Sequence, residues 1–175
     1  MYQSVEALQE KQAKDHTSLG LVKPKRIIQI SSTAFTPAEK RQFWRKYDQV
    51  LAQPQFAFKE ENPVKPLHPP DWRFVIRFTC DDARCTGVHN FSVLDWEVDA
   101  LYYNLHRVKG ELPAAAAKKV QLKLEKQCGP GHDTLFFLGN ISNHPQIFTI
   151  VGFFSPLHQE PQPSDPQGSL LEGLT

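Results

Sequence analysis

The sequence predicts an α+β domain, a mostly antiparallel sheet of four to five strands with about three helices packed on one face. Three observations predict it. Residues 72–80 (WRFVIRFTC) alternate, with Trp72, Phe74, Ile76 and Phe78 on one side and Arg73 and Arg77 on the other. That is the period of a half-buried strand. Residues 134–140 (TLFFLGN) and 147–154 (IFTIVGFF) are apolar on both faces, as central strands are, and the short segment ISNHPQ joins them as a hairpin. Between these strand pairs lie two helical patterns in succession, giving the order β-α-ββ-αα-ββ. Paired hairpins with grouped helices belong to antiparallel sheets.

In chain order, residues 26–31 (RIIQIS) read as a short strand. Thr36-Pro37-Ala38-Glu39 then starts a helix: Thr36 caps, Pro37 suits the first helical position and Glu39 completes a capping box. Phe43, Trp44, Tyr47, Val50 and Leu51 share one face of this helix, and Pro54 ends it. Five prolines in 53–71 mark a linker over the surface. After the strand at 72–80 comes a turn, and residues 89–94 (HNFSVL) return as its partner. Val98, Leu101, Tyr102, Leu105 and Val108 keep helical spacing over 96–108, and Gly110 closes that helix. Pro113 opens another, which Gly129 ends.

The 175 residues suit one domain. Residues 1–20 are polar, lack a stripe that could dock, and read as a flexible N-terminal segment. Residues 21–156 form the domain. The Pro, Ser, Gly and Gln content of 157–175 reads as a disordered tail. No run approaches the length of a membrane helix and no secretory leader is visible, so no membrane partner is expected. Three cysteines, an odd number, argue for a reducing compartment, with the cytoplasm as default.

Charge is unevenly placed. Residues 21–126 hold 18 Lys/Arg against 12 Asp/Glu, whereas residues 127–175 hold four acids and neither Lys nor Arg. A basic body with an acidic tail admits a polyanionic partner. Lys40, Arg41 and Arg45 flank Trp44 on the first helix, and Lys119 and Lys123 line the last. Such rows can contact phosphates while the aromatic ring stacks on a base, although solvated helix faces carry the same residues.

Two clusters could carry metal chemistry. Cys80, Cys85 and His89 form C-x4-C-x3-H on a hairpin turn, and Cys128 and His132 lie together at a helix end. Zinc takes four soft or borderline ligands in a tetrahedron, often presented from turns. The three cysteines with His89 or His132 would supply them; three reduced, buried thiols are the simpler alternative. A second constellation is acidic. Asp82 ends one strand, and Asp95 and Glu97 stand at the next strand-to-helix junction, where a magnesium-dependent nuclease could place its carboxylates. Asp95 is equally placed to cap the helix, with Glu97 favoured by the dipole of its first turn.

The run C-x4-C-x3-H, the strand end Asp95-Trp96-Glu97 and the segments FFLGN and FTIVGFFSP together resemble a family of uncharacterised bacterial proteins over about residues 72–156. The resemblance implies a common fold in which Cys80, Cys85, His89, Asp95, Trp96, Glu97, Gly139 and Asn140 belong to one connected core. It implies no activity.

The function expected from these residues is that of a small non-catalytic, nucleic-acid-associated or accessory protein with a structural zinc. One alternative is a nuclease using Asp82, Asp95 and Glu97 with magnesium. The other is a protein-interaction module that uses the aromatic hairpin or the first helix.

Overall fold

The computed structural model describes residues 1–51, 71–85, 87–141 and 144–158. Six strands form one sheet: β1 (Leu19–Val22), β2 (Pro24–Ala34), β3 (Trp72–Cys80), β4 (His89–Val93), β5 (Leu135–Ile141) and β6 (His144–Phe154). Their order is β1-β5-β6-β4-β3-β2. Every pairing is antiparallel except β4 with β6, where Val93 lies beside Ile150. The fold is therefore α+β and mostly antiparallel, with more strands than the sequence pattern shows.

Alternation sorts the side chains. Phe74, Ile76 and Phe78 on β3 face the same way, and their neighbours Val93, Phe91 and His89 on β4 follow by register. Phe136, Leu138 and Ile150 extend the same apolar face across β5 and β6 and are fully buried. Phe78 stacks edge-on against Phe136 with centroids 5.0 Å apart.

Helices complete the core. α4 (Pro113–Gln127) buries Ala116, Ala117, Val120 and Leu124 at the i, i+3, i+4 spacing of a docking stripe. It is pinned to β2 by Gln121, whose amide donates to the Ile30 carbonyl at 3.0 Å and whose Oε1 accepts from Ser32 Oγ at 2.9 Å. α3 (Trp96–Tyr103) contributes Val98 and Tyr102 and runs on into a π-turn, Asn104–Val108. α2 (Pro37–Leu51) begins with the predicted capping box: Thr36 N donates to Glu39 Oε2 at 2.8 Å, and Glu39 N donates to Thr36 Oγ1 at 3.3 Å. Phe43 and Trp44 on this helix are half-buried. The proline-rich linker lies outside the described residues, apart from Asp71.

The N-terminus corrects the sequence reading. Within the segment expected to be flexible, residues form α1 (Val5–Asp15), capped by Ser4, whose Oγ accepts from Ala7 N at 3.1 Å. Val5 and Leu8 are fully buried. Leu8 seats directly over Gly20 of β1, where a Cβ would stand 2.5 Å from Leu8 Cδ1. Close approach, not turn geometry, is what requires that glycine. At the other end, Leu157 bridges His132 and His158 N donates to the Gly131 carbonyl; the expected tail beyond residue 158 lies outside the described residues. No helix among the described residues is long and apolar enough to cross a membrane.

Candidate metal centre

Antiparallel pairing brings the two ends of the C-x4-C-x3-H run together. His89 sits opposite Phe78, and Cys80 lies two residues beyond Phe78 on the same face. The turn between them is held by its own contacts. Cys85 N donates to the Asp82 carbonyl at 2.9 Å, and the Asp82 carboxylate accepts from Arg84 N and pairs with its guanidinium, both at 3.0 Å. Those bonds to Arg84, with a further one from Ser4, hold the Asp82 carboxyl down at about 2.

The first turn of α1 closes over this hairpin and adds a carboxylate. Ligand atoms of Glu6, Cys80, Cys85 and His89 all lie within 4.8 Å of one another. Cys85 Sγ is 3.0 Å from His89 Nε2, and Glu6 Oε1 is 3.8 Å from the same nitrogen. Cys80 is buried, while Cys85 is half-exposed. Around the cluster, Ser4 Oγ donates to Asp82 Oδ2 at 3.1 Å and Arg84 lies 3.8 Å from Glu10, so α1 is clasped to the turn on both sides.

Three features fit a metal ion. The donors are two sulfurs, an imidazole nitrogen and a carboxylate oxygen, four ligands of the kinds zinc accepts. Glu6 Oε2 is buried without a hydrogen-bond partner among the described residues, and a buried carboxylate oxygen in that condition is costly. The thiol and the carboxylate also approach the same imidazole nitrogen. A Cys–His–Glu relay would place the acid at the opposite nitrogen, where it orients the ring. Convergence on Nε2 suits a shared cation at the centre. Metal-free, burial pushes the Cys80 thiol up to about 12, and burial followed by Glu6 raises that of Cys85. A cation would displace both protons, since zinc binds the thiolate.

The structure does not bring Cys128 or His132 into this group. Cys128 caps α4 and is buried, and its thiol is pushed up to about 11 by that burial, against the hydrogen bonds of Ser155 and Thr134. His132 Nδ1–H donates to the Ser155 carbonyl at 2.9 Å. The fourth donor of the cluster is instead Glu6, which the sequence reading missed. Its signal was present: Ser4 is a cap residue, and Val5, Leu8 and Gln12 mark one helical face.

The nuclease carboxylates are separated by topology. Asp82 follows the end of β3 and Asp95 the end of β4, and because these strands are antiparallel the two lie at opposite ends of the hairpin. Asp95 is the cap of α3, accepting from Glu97 N at 2.8 Å, and Glu97 is exposed in the first turn. Of the basic residues, Lys40 pairs with Asp71, and Lys119 Nζ lies 2.6 Å from Glu111. Arg41, Arg45 and Lys123 are exposed, on two different helices. Gly139 and Asn140 sit within β5, where Asn140 Nδ2 donates to the Pro145 carbonyl at 2.9 Å across the hairpin. Trp96 opens α3 and is 74% exposed, so it is no part of the buried core.

Neither a curated protein nor a solved structure matches the chain. A family model does, over residues 1–172, which takes in α1 and the hairpin turn alike. The chain belongs to that family, described as a domain of unknown function (DUF8757).

Proposed function

We propose that this chain is a non-catalytic accessory domain whose fold is closed by a structural zinc ion held by Glu6, Cys80, Cys85 and His89. The observation that supports the reading is the convergence of those four side chains from α1, β3, β4 and the turn between the two strands. A set of four protein ligands fills a tetrahedron, which is the mark of structural sites; catalytic ones keep a position open. The ion would tie α1 to the β3–β4 turn. Thiolate ligation needs reduced cysteines, which fits a cytoplasmic setting. Elemental analysis of the purified chain is expected to find about one zinc per molecule. Cobalt substitution should give the visible absorption of a tetrahedral thiolate site. A chain that purifies without metal and binds none on titration refutes the proposal.

A second reading, a protein-contact module, is favoured by the outer side of the β5–β6 hairpin. Leu19 and Leu21 pair there with Gly139 and Phe137, on the side opposite the core. Phe137 is 40% exposed and Phe154 57%. Val151 covers Gly139 on that side, with Cγ1 3.0 Å from where a Cβ would stand. Contiguous apolar surface of this kind marks interaction sites. Replacing Phe137 with Asp should abolish co-purification of a partner without lowering zinc content. Polyanion binding through Arg41, Arg45 and Lys123 has less to draw on, since Lys40 and Lys119 are already ion-paired. A mobility-shift assay at low salt decides it.

A further inference from the structure

The two thiols of the cluster lie where they can be joined as well as metallated. Cys80 and Cys85 flank a four-residue turn, with their sulfurs within 4.8 Å of each other. Cys85 is half-exposed at the rim, while Cys80 is buried behind it. An oxidant arriving from solvent therefore meets Cys85 first and finds a second sulfur directly behind it. Bond formation brings the sulfurs to about 2.05 Å, which side-chain rotation across so short a turn can supply. Cys128, buried at the end of α4, belongs to neither the cluster nor its rim.

We propose that Cys80 and Cys85 are a hydroperoxide-sensitive pair whose oxidation to a disulfide expels the metal and releases α1 from the hairpin. This rests on the zinc reading above. In the first step the Cys85 thiolate attacks the peroxide; the O–O bond breaks, Cys85 becomes a sulfenic acid, and hydroxide leaves (alkoxide for an organic peroxide). In the second step the Cys80 thiolate attacks that sulfur, the S–S bond forms, and a second hydroxide leaves. Two thiolates have lost two electrons, the peroxide has gained them, and the metal has lost both sulfur ligands. Glu6 and His89 alone are a poor zinc site.

The consequence reaches α1 because its anchors converge on this turn. Glu6, in the first turn of α1, loses its cation. Ser4, the cap of α1, is bonded to Asp82 within the same turn. Thiol chemistry at the rim thus controls whether the first helix stays docked.

The test uses the zinc-loaded full chain treated with one equivalent of hydrogen peroxide. A chromogenic chelator reads zinc release, and peptide mapping without reduction reads the bond. The expected result is loss of about one zinc per chain together with a Cys80–Cys85 disulfide, reversed by a thiol reductant and added zinc. Backbone amides of residues 4–12 should exchange about tenfold faster in the oxidised form. Cys128→Ser should behave as the wild type. Zinc retained under peroxide, oxidation of Cys128 ahead of Cys85, or zinc loss through irreversible sulfinic acid without a disulfide overturns the switch. A chain with no zinc before treatment refutes the metal reading instead, and the coupling falls with it.

Discussion

The β3–β4 turn and the α4–β5 junction begin with the same chemistry and end differently. Each places cysteine and histidine four residues apart, Cys85 with His89 and Cys128 with His132. At the turn, Cys85 Sγ and Glu6 Oε1 approach one nitrogen of His89. At the junction, the His132 ring is engaged by the Ser155 carbonyl, and Ser155 Oγ donates to Thr134 Oγ1 at 2.8 Å. One region has lone pairs aimed at a common point, and the other has its polar atoms satisfied by the protein itself. Ligand type and spacing are identical, so neither decides. What decides is whether a third element arrives with another donor. α1 does so at the turn; at the junction the partners among the described residues are a carbonyl and hydroxyls.

The largest expected effect breaks that comparison directly. Cys80→Ser and Cys85→Ser should each abolish stoichiometric zinc binding, while Cys128→Ser should retain about one zinc per chain. A chelator should lower the Tm of the wild type and of Cys128→Ser but leave the two cluster variants unmoved, because metal-binding energy is folding energy here. Affinity should also fall with pH. Both thiols are raised by burial, so binding expels two protons, and the apparent constant should drop about a hundredfold per unit below their range. A Cys128→Ser variant that loses its zinc would mean that the two regions had been assigned the wrong way round.

Next comes the contact that delivers the carboxylate. Leu8→Ala removes a fully buried side chain seated over Gly20 and should cost about 2–5 kcal/mol in denaturant unfolding. Its zinc affinity should fall as well, since α1 holds Glu6. A change in stability with unaltered zinc affinity would uncouple helix docking from the site.

Much of the fold was legible in the sequence because local signals agreed with one another. The alternation at 72–80 matches β3 residue for residue, and the Pro113 start and the end of α4 fall where expected. Asp95 caps α3, the simpler of its two readings. The missing parts were those whose signal was short or non-local. α1 shows only two large buried apolar residues, Val5 and Leu8, in eleven, too few to stand out against a polar background. β1 is four residues long and owes its place to pairing with β5. Of the four side chains that converge, three were legible, since Cys80, Cys85 and His89 are linked by one hairpin. Glu6 was not, because nothing in the order of residues says which helix will cross that turn. The separation of Asp82 from Asp95 escaped the sequence for a related reason. Successive strand ends are neighbours in a parallel sheet and lie at opposite ends in an antiparallel one.

A smaller effect sharpens the role of the fourth ligand. Glu6→Gln keeps the shape of the side chain but replaces an anionic oxygen with a neutral one. Zinc affinity should fall about tenfold or more, with the Tm of the metal-free protein unchanged or raised. The rise would come from removing a buried carboxylate oxygen that has no partner among the described residues. Equal affinity in both proteins would assign the fourth position to water and leave a three-ligand site.

The smallest effect concerns the turn itself and is read through pH. Asp82 is held down at about 2 first by the Arg84 guanidinium, then by the Arg84 backbone N–H, with Ser4 adding a bond. A carboxyl depressed in the folded state contributes stability above its unfolded value, about 3.9. That contribution is lost as pH falls from there through about 2. Asp82→Asn should therefore flatten the wild-type decline in stability across that acid window and make little difference at neutral pH beyond a modest loss. The pair is open to solvent on the arginine side, so salt should shrink the effect. The α4–β5 junction offers the control: Asp133, lowered by Lys23, forms an exposed ion pair and is not part of the Glu6, Cys80, Cys85 and His89 cluster. Asp133→Asn should alter acid stability in the same sense and leave zinc affinity alone. Asp82→Asn should alter both, because the turn it braces presents Cys80 and Cys85. Identical zinc affinities in the two variants would show that the cluster holds its geometry without the Asp82–Arg84 brace, leaving α1 as the element that sets it.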